Sequence, residues 1–214
     1  MKKILMTIGV ILVVAVVGIL GVASLQPDTY HVERSASFAA APVDVYPFVN
    51  DYTKWATWNP WKDIDPKMKT ANSSNPVGVG AWTTWEGNSD AGKGKMTITE
   101  SVPDQKVVHD LHFMEPFEDT AKVTFTMTAS GEQTKFTWAM DGSQNLMGKV
   151  MCLFSSMDSM VGGDFERGLA NLKPLAEAGA ADRKKAEQQA AEQAAAAAAA
   201  ALQAAAVAPV APAP

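Results

Sequence analysis

Three tryptophans, Trp55, Trp58 and Trp61, recur at every third position. On a helical turn that spacing puts side chains on one side, although Pro60 argues that the third lies past the helix end. Their indole rings could form an aromatic lip over an apolar ligand, or they could plug a loose core edge. Trp82, Trp85, Phe113, Phe125, Phe136, Trp138, Met140, Phe154 and Met157 are further interior candidates. Packed tightly, they make only a core. Held apart, they line a pocket, because ligand pockets are mostly apolar with a few polar groups. Met140, Met147, Met151, Met157 and Met160 crowd one region, and methionine suits a pliable interior.

The polar residues offer less chemistry. His109 falls on the apolar face of its segment and His112 on the other. A buried His109 could bond a ligand's polar head or act as a base; it could equally be a hydrogen-bonded core residue. Glu86, Glu115, Asp63 and Asp65 are the carboxylates nearest the aromatic stretches. Acid–base catalysis needs a perturbed pKa and a positioned partner, and the sequence displays neither. It contains no Gly-x-Ser-x-Gly elbow, no His-Glu-x-x-His and no phosphate loop. Gly92-Lys93-Gly94-Lys95 reads as a hairpin turn. No catalytic, cofactor or metal site is therefore assigned. The single cysteine, Cys152, rules out an internal disulfide and a cysteine metal cluster. A net charge of −5 without a basic face gives no reason to expect nucleic acid as a partner.

These residues need elements to position them. Tyr30 to Phe38 reads as a strand, with Tyr30, Val32, Ala36 and Phe38 on one face and Arg34 interrupting it. Pro42 suits the first turn of a short helix over 43–49, and a second short piece follows over 51–58. Strand-like runs come next at 81–86, 94–100, 107–113, 121–127 and 136–140. Regular alternation along them implies one buried and one solvated face, hence an antiparallel sheet. From Gly142 to Ala178 the apolar period changes to three or four. Leu146, Val150, Leu153, Phe154, Met157, Val161, Phe165, Leu169 and Leu172 then form one stripe on a long helix. Gly162-Gly163 is a weak point where that helix could bend. Sheet and helix can bury each other, and a bowed sheet would leave an apolar interior between them.

The two ends differ from this middle. An uncharged apolar run from Ile4 to Leu25 follows Lys2 and Lys3. About 20 such residues cross a bilayer core, which is longer than the 7–15 of a signal-peptide core. The run is therefore read as an uncleaved anchor, with a cleaved signal peptide as the alternative. The lysines stay cytoplasmic on either reading, so the chain after Pro27 is extracytoplasmic. From Gly179 an Ala-rich run begins that can be helical; Pro209, Pro212 and Pro214 favour an extended end. The expected division is an anchor over 1–26, a globular domain over 27–178 and a low-complexity tail over 179–214. The oligomeric state is left open.

Three stretches resemble the START/polyketide-cyclase superfamily, also called SRPBCC. One is Ala41-Pro42-Val43-Asp44-Val45-Tyr46-Pro47-Phe48-Val49, where a first strand passes into a helix. Another is Trp55-Ala56-Thr57-Trp58-Asn59-Pro60-Trp61 with Asp65-Pro66 and the Gly78-Val79-Gly80 turn. The last is Met160 to Lys173. The resemblance covers about 29–176. It implies an α+β helix-grip fold, with about seven antiparallel strands curved around a long C-terminal helix and two short helices after the first strand. It also implies a cavity that receives apolar or amphipathic small molecules. The leading expectation is a non-enzymatic binder of a lipid-like molecule at the membrane. The alternatives are a cyclase- or hydrolase-like enzyme, with His109 and Glu86 as first candidates, and a cell-envelope structural or interaction domain.

Overall fold

The computed structural model describes residues 2–116 and 118–207; the terminal prolines lie outside them. Helix α1, Lys2–Ser24, has no polar face, and its side chains are almost all exposed. At about 1.5 Å per residue it is just longer than a bilayer core of about 30 Å. Among the described residues it is the one helix long and apolar enough to cross a membrane. Four residues, 25–28, connect it to strand β1, Thr29–Phe38.

Four short helices follow β1: α2 Pro42–Val45, α3 Pro47–Asn50, α4 Tyr52–Trp55 and α5 Trp61–Ile64. Sequence reading expected two. Pro47 starts a new helical segment after Tyr46, as proline at a first helical position can. Asp51 caps the next helix, its Oδ1 accepting the Thr53 N–H at 2.8 Å. The remaining strands are β2 Lys69–Asn72, β3 Trp82–Glu86, β4 Lys93–Val102, β5 Lys106–Glu115, β6 Asp119–Ser130 and β7 Gln133–Ser143. They form one antiparallel sheet in the order β1-β7-β6-β5-β4-β3-β2. Strand β2 had no sequence signal, because all four of its residues are exposed on the sheet edge.

The long helix begins later than the sequence suggested. Helix α6, Leu146–Cys152, is separate from α7, Met157–Val207. Two local caps cut the apolar stripe. Asn145 Oδ1 accepts the Gly148 N–H at 2.8 Å, and Ser156 Oγ accepts the Ser159 N–H at 3.1 Å. Phe154, between the helices, is 79% exposed rather than part of the interior. Helix α7 continues across position 179 into the Ala-rich run, and beyond Arg183 its described side chains are exposed.

Phe165, Leu169, Leu172, Ala176 and Ala180 bury one face of α7 against the sheet, as an apolar helical stripe requires. Arg34 no longer looks like an interruption. It points to α7 and binds Asp158 at 2.6 Å and Glu166 at 2.8 Å. Gly162 leaves room for its guanidinium; a Cβ there would collide with it. At the other end Asp44 of α2 accepts from Arg183 Nε at 2.7 Å, and this pairing holds the Asp44 carboxyl below its ordinary value.

Candidate ligand-binding cavity

Between the curved sheet and the helices lies a cavity of about 430 Å³. The lower end of the usual ligand-pocket range is about 300 Å³. Helices α4 and α5 supply Trp55 and Trp61 to its wall, β3 supplies Trp85, and β7 supplies Trp138 and Met140. Phe113 of β5 faces Trp85 edge to face, with ring centroids 6.1 Å apart. Met147 and Met151 of α6 and Met157 and Met160 of α7 complete the opposite side. All five methionines singled out by position thus border one space.

The other candidates lie elsewhere. Trp58 and Phe125 are buried in the core and do not line the cavity. Trp58 Nε1 donates to the Phe48 carbonyl at 3.0 Å, and its ring meets Trp138 edge to face at 5.5 Å. Trp82 lies three residues from Trp85, so strand parity turns it to the opposite face of the sheet. There the Lys95 ammonium sits 5.3 Å from its ring, within reach of a cation–π attraction. Phe154 is exposed between α6 and α7.

His109 is a core residue. Its Nε2 donates to the Val49 carbonyl at 3.0 Å. That leaves Nδ1 to accept, and it does so from the Tyr52 hydroxyl at 2.9 Å. Burial disfavours the imidazolium and pushes the pKa down to about 4. Both ring nitrogens are engaged, so none remains to meet a ligand. Glu86 sits at the exposed end of β3, 3.5 Å from Lys93. It forms no constellation with His109.

The cavity wall also carries polar atoms without a partner among the described residues. Tyr30 Oη, Trp138 Nε1 and Gln144 Oε1 are buried without a hydrogen-bond partner, and all three residues line the cavity. Burial raises the Tyr30 phenol well above its ordinary value, helped by the charges of Asp119, Cys152 and Asp141. Burial also raises the Asp119 carboxyl. Tyr30 was legible as an inward residue of its strand. Gln144 and Cys152 had no such signal, because they belong to the turn and short helix that the apolar stripe concealed.

Trp138 ties the cavity wall to α7. It stacks on Phe165 with centroids 4.2 Å apart and planes 12° from parallel. Gly168 makes that approach feasible, because a Cβ there would lie 2.6 Å from Trp138 Cζ3.

A curved antiparallel sheet gripping one long helix beside an apolar hollow is a helix-grip fold. The chain belongs to the family described as polyketide cyclase / dehydrase and lipid transport, which it matches over residues 29–177. Solved structures of similar fold include protein Ms6760 from Mycobacterium smegmatis. That protein is 16% identical, with a TM-score of 0.50 over 70% of this chain and 92% of that one. Protein CV1439 from Chromobacterium violaceum is also 16% identical, with a TM-score of 0.49 over 71% of this chain and 99% of that one. No curated protein matches the sequence.

Proposed function

We propose that this domain binds a lipid-like apolar or amphipathic small molecule in the cavity, at the outer surface of a membrane. The observation that carries the proposal is the open space itself, walled by tryptophan, phenylalanine and methionine rather than filled by them. Moving apolar ligand surface there from water is favourable by about 25 cal/mol per Å² before ordering costs. Methionines on α6 and α7 can adjust to ligands of different shape.

The surroundings of the cavity support the membrane part of the reading. Helix α6, which roofs it, touches α1. The buried Lys149 ammonium of α6 bonds Asp28, and the Gln144 N–H donates to the Asp28 carbonyl at 2.7 Å. Leu146, Met147 and Met151 of this helix are exposed, and so is Phe154 just after it. The connection over 25–28 is short. Even fully extended, so few residues keep the domain within a few turns of the anchor's end. A domain so tethered would present an apolar roof to the bilayer, from which a ligand could pass without crossing water. Lys2 and Lys3 favour a cytoplasmic N-terminus and an extracytoplasmic domain.

A second reading, a cyclase- or hydrolase-like reaction in the same cavity, draws on one observation. Tyr30 and Asp119 both line it, and burial raises both pKa values. Recovery of a bound molecule chemically changed by the protein, with the change lost in Asp119→Asn, would favour that reading.

Cys152 provides the test, since it is the one cysteine of the chain and borders the cavity. In nanodiscs of phosphatidylcholine, a long-chain alcohol should slow its alkylation by N-ethylmaleimide. Prior attachment of a bulky maleimide should abolish binding of that alcohol, read by tryptophan fluorescence. Binding unaffected by the adduct would remove the cavity as the site.

A further inference from the structure

The charged side chains that line the cavity are all carboxylates among the described residues. Among the described lining residues Asp90, Glu115, Glu118, Asp119 and Asp164 carry carboxyl groups, and none is Lys, Arg or His. Two of the five have a close basic neighbour. Asp164 pairs with Arg167, and Glu118 Oε1 lies 3.2 Å from His112 Nε2. Asp90, Glu115 and Asp119 have no ion-pair partner among the described residues.

None of the described lining residues supplies the positive charge that a carboxylate, sulfonate or phosphate needs once it leaves water. The indoles of Trp55, Trp61 and Trp85 also line the space, and an indole face attracts cations.

We propose that the cavity selects amphiphiles by charge: it takes those whose polar end is uncharged or cationic and rejects those with an anionic end. This rests on the reading of the cavity as a ligand site and adds the chemical class of the ligand. It follows that anionic membrane lipids are poor cargo even where they are abundant, and that a neutral or amine-bearing lipid is the fitting one.

The test uses the full chain in phosphatidylcholine nanodiscs and three probes of equal chain length: decyltrimethylammonium, decanol and decanesulfonate. Binding is read by tryptophan fluorescence, corrected for partition of each probe into empty nanodiscs. The sulfonate should bind about tenfold or more weakly than the other two. A Glu115→Gln/Asp119→Asn double variant should narrow that gap. Wild type gives an independent measure, because added salt should weaken the ammonium and strengthen the sulfonate. A sulfonate that binds as tightly as the alcohol, or a gap indifferent to both salt and the double variant, overturns charge selection while leaving the ligand site standing. Failure of all three probes to bind overturns the ligand site, and charge selection with it.

Discussion

Single residues divide here into those that hold the fold and those that face the cavity. His109 belongs to the first group, and it makes stability depend on pH. Its pKa is about 4 when folded against 6.5 ordinarily, so below pH 6.5 the unfolded chain binds a proton that the folded chain does not. The stability it contributes is therefore complete above about pH 6.5 and is lost as pH falls towards 4. The slope is about 1.4 kcal/mol per pH unit, or on the order of 3 kcal/mol across the window. Chemical denaturation between pH 7 and pH 4 should show this loss, and His109→Gln should flatten it while lowering stability throughout. An unchanged pH slope in that variant would mean His109 is not the responsible group.

Trp58 also belongs to the fold-holding group, although its spacing from Trp55 and Trp61 suggested equivalent roles. Spacing alone could not separate them. The chain turns at Asn59-Pro60, and the Asn59 carboxamide oxygen accepts the Trp61 N–H at 2.9 Å to start α5 afresh. Trp55 and Trp61 thereby reach the cavity, while Trp58 is left inside the core.

At the level of elements, close approach between α7 and the sheet makes its glycines unequal. Gly163 has open space where a Cβ would be, whereas Gly168 faces Trp138 and Pro60. Gly163→Ala should stabilise the protein by about 0.5–1 kcal/mol through helix propensity and chain entropy. Gly168→Ala gains the same propensity but must displace an indole stacked on Phe165. Overpacking of about 1–3 kcal/mol should outweigh that gain. Thermal melts of the two variants should shift in opposite directions; a stabilised Gly168→Ala would mean that Trp138 yields freely.

The same packing explains what the sequence disclosed. Strands β4 to β7 mostly alternate, with Val108 and Ala139 buried out of turn, because one face meets the core and the other meets water, so their pattern was plain. Edge strand β2 buries nothing and left no pattern. The break between α6 and α7 was hidden because Leu153 and Phe154 kept the apolar period through it, while Asn145 and Ser156 acted only as caps. The cavity wall was legible as a set of aromatics and methionines. The unpartnered state of Tyr30, Trp138 and Gln144 among the described residues was not, since the lack of a partner exists only in three dimensions.

For the whole molecule, an apolar helix, a cavity and an exposed apolar roof occur within one short stretch of structure. Helix α1 abuts α6, α6 roofs the cavity, and the carboxylates border it. In our reading the anchor confines the domain to the surface that supplies its ligand, and the acidic border decides which amphiphiles remain. The central claim is that the space between sheet and helices is occupied by a small molecule in the working protein. Native mass spectrometry of the full chain, released gently from nanodiscs made with its host's lipids, tests this most directly. The account predicts an added mass of lipid size that disappears when Cys152 carries a bulky maleimide. A spectrum showing only bare polypeptide under conditions that preserve the fold, or an added mass indifferent to the adduct, would contradict it.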